Sequence, residues 1–395
     1  MLQQIEVTEL VEDINRRKDN RSFTYALAVG FITLVITMFG LTMLYSTSFA
    51  TVGEKYFYAQ LKWFFIAIAA MGGVIFIGYK RLATWTPWLL GTVIILLIWA
   101  AFFSRTINGA NRWIIIPGLK MQFQPSELAK VTLALYGAKV LSENLRSISN
   151  WRNYKIFIVP GVLISSILLL IFLGDDLGTT LLLSAAMFSL AYSSGVPKKF
   201  LFSAAALVLL AASVYVLKYD AERLSRVVSF TNPGEEGMRD TDGYQLWNSL
   251  LALGSGGWTG VGFMEGLMKH KYLPEAHTDF ILAVVGEELG YLGLIGVIIT
   301  YLALGFFGMK IALNSRSRMG MLLAQTITFI ILIQAAINIG VVSGALPTKG
   351  ISAPLISYGG SNLLINMIMI GLLISVGLEN VPGLTDKWPG RQKCE

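Results

Sequence analysis

Ten apolar stretches separated by polar connections organise this chain. They fall at 24–46, 58–79, 87–104, 126–141, 156–173, 179–195, 200–217, 280–301, 321–342 and 363–377. Apolar runs of this length read as helices that cross a bilayer rather than as strands. The fourth is unusual in carrying Glu127, Lys130 and Lys139. The pattern predicts an all-α polytopic integral membrane protein of about ten transmembrane helices: a polar tail at 1–23, a transmembrane domain at 24–380 and a polar tail at 381–395.

The placement of positive charge orients the bundle. With the N-terminus in the cytosol, Arg16, Arg17, Lys18, Arg21, Lys80, Arg81, Arg146, Arg152, Lys155, Lys198, Lys199, Lys310, Arg316, Arg318, Lys387, Arg391 and Lys393 all fall on the inner side. The short outer segments carry only Lys55, Lys62, Arg105, Arg112, Lys120 and Lys349. That asymmetry predicts cytosolic termini and an even number of spans. Three outer segments exceed simple turns: 105–125, 346–362 and the longest, 218–279, between the seventh and eighth spans. Irregular backbone near membrane depth must be buried in protein or line a cavity, so the three are expected to cap one outward-facing cleft.

Composition narrows the picture. The chain of 395 residues is 54% hydrophobic and 14% charged, which leaves no material for a large soluble domain. Its net charge of +7 follows membrane topology and does not imply nucleic-acid binding. The first 23 residues are polar and mixed in charge, unlike a cleaved signal peptide. Cys394 is the sole cysteine and His270 and His277 the only histidines, which excludes a disulfide framework and a His/Cys zinc site. Any metal would be a hard cation on carboxylates.

The candidate chemistry lies around Leu273-Pro-Glu-Ala-His-Thr-Asp-Phe280, which ends the longest outer segment and opens the eighth span. Asp279 is placed near a helix N-terminus, where it or Thr278 could cap the helix, or where Asp279 could act as a base or metal ligand. Spacing does not separate these roles. Glu287 and Glu288 follow, about 12 Å further along a helix axis, and read as carboxylates deeper in the membrane that need partners. Glu127 and Lys130, three apart after Pro125, are expected to pair on one helix face. Asp175 and Asp176 occupy a tight turn, as a helix cap or a metal site. The glycine-dense segment 253–262 lacks the βαβ context of a nucleotide loop, so close backbone packing or phosphate contact is expected. Arg223, Arg226, Lys269, Lys271 and Lys349 are basic outer candidates for an anionic headgroup.

Taken together, the segments 124–130, 176–179, 244–245, 254–262, 273–290 and 346–361 resemble the SEDS family (shape, elongation, division and sporulation) of FtsW, RodA and SpoVE, in family order. The Thr348-Lys349-Gly350 step and the Glu275-Ala276 before His277 are more similar to the FtsW branch. Asp175 departs from the family, which usually has proline there, and Ser352-Ala353 departs from the more usual Leu-Pro.

The resemblance implies a peptidoglycan glycosyltransferase that polymerises lipid II on the outer face of a bacterial cytoplasmic membrane, at the division septum for an FtsW-like member. It implies Asp279 as the essential aspartate, acting as base or as ligand of a divalent cation (Mg2+ or Mn2+). Lys349, Arg223, Lys271, His277 and Ser357 become candidates for substrate contact, with Glu127 and Lys130 shaping the cleft. A class B penicillin-binding protein (a transpeptidase) and other division proteins are the implied partners. A flippase for the same lipid, an elongation-type polymerase and a non-catalytic scaffold are the rival readings.

Overall fold

The computed structural model describes the chain apart from residues 1, 105–111, 117–120, 145–147, 149–154, 220–229, 231–242, 271, 348–349 and 380–395. Each of the ten apolar stretches forms a helix. The first four helices are α1 (Leu2–Val52), α2 (Lys55–Ile77), the short α3 (Tyr79–Thr84) and α4 (Thr86–Phe103). They are followed by α5 (Pro125–Glu143), α6 (Ile158–Leu173), α7 (Leu177–Ser194) and α8 (Lys198–Tyr219). The last four are α9 (Tyr244–Gly256), α10 (Ile281–Asn314), α11 (Arg318–Val342) and α12 (Gly360–Gly377).

Among the described residues, 8 helices are long and apolar enough to cross a membrane: α1, α2, α4, α6, α7, α10, α11 and α12. The expected figure of about ten is therefore met in part. Helix α5 falls short for a chemical reason, since Glu127, Lys130, Lys139 and Glu143 all lie within its 19 residues. The polar stretch before the first span is not a separate coil: α1 is helical from Leu2. The bundle is all-α, as expected, with one small addition in an outer segment. Ile114–Ile116 and Met121–Phe123 form a two-stranded antiparallel sheet, pairing Ile114 with Phe123 and Ile116 with Met121. The Ile-Ile-Ile run followed by Pro117-Gly118 carries that hairpin signal.

Large apolar side chains such as Phe31, Phe65, Trp88 and Phe102 point outward, as they must where the surrounding solvent is lipid. Helix α12 is the central post, packed by α1, α2, α5 and α11. At one end of the bundle Gly377 of α12 approaches Ala26 of α1 and Ile311 of α10. The site described below lies at the opposite end.

Helix α10 is broken at Gly290, whose φ of 68° and ψ of −170° interrupt the helix. A break frees backbone groups that the bilayer cannot hydrate, and the glycine-dense segment supplies their partners. Tyr291 N donates to Gly257 O (2.9 Å) and Leu292 N to Trp258 O (3.2 Å). In return, Val261 N donates to Glu287 O (3.0 Å) and Gly262 N to Glu288 O (3.1 Å). These four bonds stand in for the two helical bonds lost at the break. The segment is glycine-dense because two backbones touch: a Cβ at Gly260, where φ is +80°, would stand 2.1 Å from Glu288 O.

Gly260→Ala should therefore lower stability by roughly 1–3 kcal/mol, read as a lower unfolding midpoint of the detergent-solubilised protein. Gly254→Ala, in the same run but with no atom within 4 Å of the added Cβ, should not.

Candidate functional site: the Asp279 turn

Asp279 lies in an irregular turn between segment 257–270 and α10. The expected cap is not made. Phe280 occupies the N-cap of α10 and no side chain bonds there, while the Thr278 hydroxyl donates to Glu275 Oε2 (2.7 Å). Asp279 stands one position too early to cap, and its carboxylate turns instead to the loop 343–359. A Cβ at Gly350 would lie 2.8 Å from Asp279 Oδ2 and 3.7 Å from Arg112 Nη2. Glycine is thus what lets this loop lie against the carboxylate.

The turn is held by its carbonyls. Tyr358 N donates to His277 O (2.9 Å), Ser357 Oγ donates to Thr278 O (2.6 Å), and Asn338 Nδ2 donates to Asp279 O (2.7 Å). Three consecutive carbonyls are each gripped by α11 or by the 343–359 loop. That loop is anchored in the same way. Ile351 O accepts from Asn338 Nδ2 (2.7 Å), Ser352 O from Gln334 Nε2 (2.9 Å) and Pro354 O from the Tyr301 hydroxyl (2.6 Å). Ala353 O accepts from Ser357 N (3.1 Å).

Electrostatics around Asp279 are mixed. The side chain is half-buried by surface, but dense protein surrounds it, and burial is the main cause that raises its pKa to about 7. The charges of Glu275 and Asp176 push the same way, and Arg112 opposes them. Arg112 pairs only loosely with Asp176, at 3.7 Å, and its Nε is buried with no hydrogen-bond partner among the described residues. A carboxyl that titrates near neutrality beside an incompletely bonded guanidinium is suited to accept a proton while an anion sits alongside.

The remaining candidates are distributed unevenly. His277 stacks on Tyr56 with ring centroids 4.4 Å apart and also meets Tyr358; burial lowers its pKa, opposed by Glu275. The Ser357 hydroxyl is committed to backbone, donating to Thr278 O and accepting from Ala353 N (2.8 Å). The Glu127–Lys130 pair forms at 2.8 Å and is buried. Lys130 also donates to Gln334 Oε1 (2.8 Å), which links the pair to the 343–359 loop. Glu127 Oε2 has no protein partner. Asp176 caps α7 by accepting from Thr179 N and also accepts from Gln124 and Ser126, so it is occupied by protein donors. Asp175 sits at φ 61°, which a proline ring forbids, so the turn is wound differently from one carrying the usual family proline. Lys349, Arg223, Arg226 and Lys271 lie outside the described residues.

One expectation is overturned. Lys269 is not a surface cation for a headgroup: it is buried and bonded to Glu288 Oε1 at 2.6 Å. Glu287 and Glu288 are both buried and hydrogen-bonded.

Arg112, Gln334, Asn338 and Gly350 are the site residues that sequence reading passed over. Gln334 and Asn338 stand four apart in a largely apolar span and share a face, a pattern open to detection. Arg112, like Lys349, was one of few basic residues on a short outer segment.

The unfolded carboxyl of Asp279 titrates near its usual 3.8 and the native one at about 7, so the native state binds the extra proton between those values. Wild-type stability should then fall as pH rises from about 4 through 7. Asp279→Asn, neutral throughout, should unfold at a higher temperature than wild type at pH 8, with the gap closing below about pH 4.

The family described as "Cell cycle protein", that of FtsW, RodA and SpoVE, matches residues 26–381. A protein named probable peptidoglycan glycosyltransferase FtsW from Geobacter metallireducens is 36% identical over 89% of this chain and 94% of its own length. One of the same name from Neisseria gonorrhoeae is 32% identical over 92% and 86%. Among solved structures, one titled as a peptidoglycan synthase complex that coordinates polymerisation and crosslinking aligns with TM-score 0.74 at 26% identity, covering 89% of this chain and 97% of that one. The rod shape determining protein RodA of Thermus thermophilus aligns with TM-score 0.66 at 26% identity, over 89% and 96%. A match across nearly the whole bundle, with relatives above 30% identity, places the chain in a known group: it belongs to the SEDS family of FtsW/RodA peptidoglycan glycosyltransferases.

Proposed function

We propose that this chain polymerises lipid II at the outer face of the bacterial cytoplasmic membrane, with Asp279 as general base. The observation that carries the reading is Asp279 itself: a carboxyl poised to titrate near pH 7, fixed by three gripped carbonyls and flanked by Arg112. In the forward step Asp279 accepts the proton of the acceptor GlcNAc 4-hydroxyl. That oxygen bonds to the anomeric carbon of the donor as the carbon–oxygen bond to pyrophosphate breaks. Undecaprenyl pyrophosphate leaves with its electron pair, and the configuration inverts. Arg112, with Nε unbonded, is a suitable partner for the pyrophosphate.

Among the described residues no group of three or more His, Cys, Asp or Glu could hold a metal. Asp176 is taken up by protein donors, and Asp279 is the carboxylate that would hold a divalent cation, a hard ion suited to oxygen donors. Such a cation, when bound, would supply charge neutralisation at the leaving pyrophosphate. Septal wall synthesis, a class B penicillin-binding protein as partner and other division proteins belong to the same proposal, supported by relatives bearing the FtsW name.

A flippase is the competing reading, and the broken α10 is its best support, since transporters use interrupted helices. Here, however, the freed backbone groups are taken by 257–262 and leave little for an ion.

Purified protein with lipid II and Mg2+ or Mn2+ should yield glycan strands on a gel, and Asp279→Ala should yield none. The wild-type rate should rise with pH through about 7. Normal polymerisation by Asp279→Ala would remove the base, and translocation of lipid II without polymer would favour the flippase.

A further inference from the structure

The residues on either side of Asp279 fold back on each other. Lys269 lies ten positions before it and Glu288 nine after. Their side chains meet at 2.6 Å. Ser46 of α1 completes the contact: Lys269 Nζ donates to Ser46 Oγ (2.8 Å) and Ser46 Oγ donates to Glu288 Oε1 (2.7 Å). Met264 N donates to Glu288 Oε2 (3.1 Å). The neighbouring Glu287 collects Leu267 N (2.7 Å) and Met268 N (3.1 Å). With the backbone bonds at Gly290, these contacts join 257–270 and the first residues of α10 into one unit that carries the Asp279 turn.

Hydrogen bonds join that unit to the rest of the bundle at the turn, through Asn338, Ser357 and Tyr358, and at Ser46, and His277 also stacks on Tyr56 of α2. Lys269 is 2% exposed, and Glu288 and Ser46 are 0% exposed, so the pair is withdrawn from solvent. Stability does not account for such a pair, because desolvating two charges offsets most of their attraction and an apolar replacement is often as stable. What the pair supplies is a unique seat, since Lys269 and Glu288 find their partners in one registration against α1.

We propose that Lys269, Glu288 and Ser46 form a positioning clamp that holds the Asp279 unit in register on α1, and that polymerisation depends on it although none of the three touches substrate. The inference rests on Asp279 acting as the base. The clamp fixes the unit on α1, while the backbone bonds of 257–262 tie it to α10 on both sides of the Gly290 break. Releasing the clamp lets the turn tilt on its α11 seat and admits water to the carboxyl. The charges facing that carboxyl, Glu275, Asp176 and Arg112, come from its own turn, the α6–α7 turn and the β1 approach, and stay in place.

The test compares wild type, Lys269→Met with Glu288→Leu, and Lys269→Met alone. The double variant should unfold at or above the wild-type temperature. Its kcat with lipid II should fall about 10- to 100-fold with KM little changed, and the rising limb of its pH–rate profile should move to lower pH. Amide exchange at 272–280 should quicken in the double variant whether or not Asp279 is the base. Lys269→Met alone should be the less stable, because it strands a buried carboxylate. If the double variant fails to fold, Glu288→Gln, which keeps the shape and one acceptor oxygen, gives the same readouts. Wild-type kcat, pH profile and exchange in the folded variant would overturn the clamp. An active Asp279→Asn would instead overturn the base and leave the exchange result to judge the clamp.

Discussion

Backbone hydrogen bonding governs this site. Two irregular stretches, the Asp279 turn and the loop 343–359, meet where the end of a helical bundle excludes water, and each exposed peptide carbonyl needs a donor from the protein. The carbonyls of His277, Thr278 and Asp279, and those of Ile351 to Pro354, all have one. Asn338 serves both stretches with the two hydrogens of one amide, so a single side chain fixes the distance between them. The same necessity explains the glycine-dense segment at the Gly290 break, where two backbones must touch to exchange bonds.

That accounting bears on chemistry. A carboxyl acting as base, the role proposed for Asp279, must be held still yet stay free to receive a proton. Here the rigidity comes from main-chain carbonyls, and among the described residues no hydrogen bond engages the Asp279 side chain. Its pKa is raised by burial, Glu275 and Asp176 and lowered by Arg112. Asp176 shows the alternative outcome. Accepting from Thr179 N, Gln124 and Ser126 makes it a strut of the fold. The same side-chain type serves two ends, divided by what surrounds it.

The polar residues inside the bundle form a chain of support between elements. Glu127 and Lys130 on α5 reach Gln334 on α11, and Gln334 reaches the loop that carries Gly350. On the other side, Lys269 and Glu288 reach Ser46 on α1. The Asp279 turn is thus braced from two directions by groups that would be costly to bury singly and are acceptable only as bonded sets.

Much of this protein was legible in its sequence, because bilayers impose long apolar runs and the runs place the helices. The ten stretches and the Glu127–Lys130 pair at three-residue spacing follow from local pattern. The backbone-packing reading of 253–262 follows from glycine density. What required tertiary structure were the relations between distant segments. Local spacing left the partners of Glu287 and Glu288 open, and the fold supplies them from 264–269 and α1. It offered Lys269 as a surface cation, but the outer segment folds inward and buries it against Glu288. It left Thr278 or Asp279 as a possible cap, and the register of α10 gives that position to Phe280. Periodicity reports which face of an element is apolar; it carries no information about which carbonyl a remote asparagine will hold, and here those remote bonds decide where the Asp279 carboxyl stands.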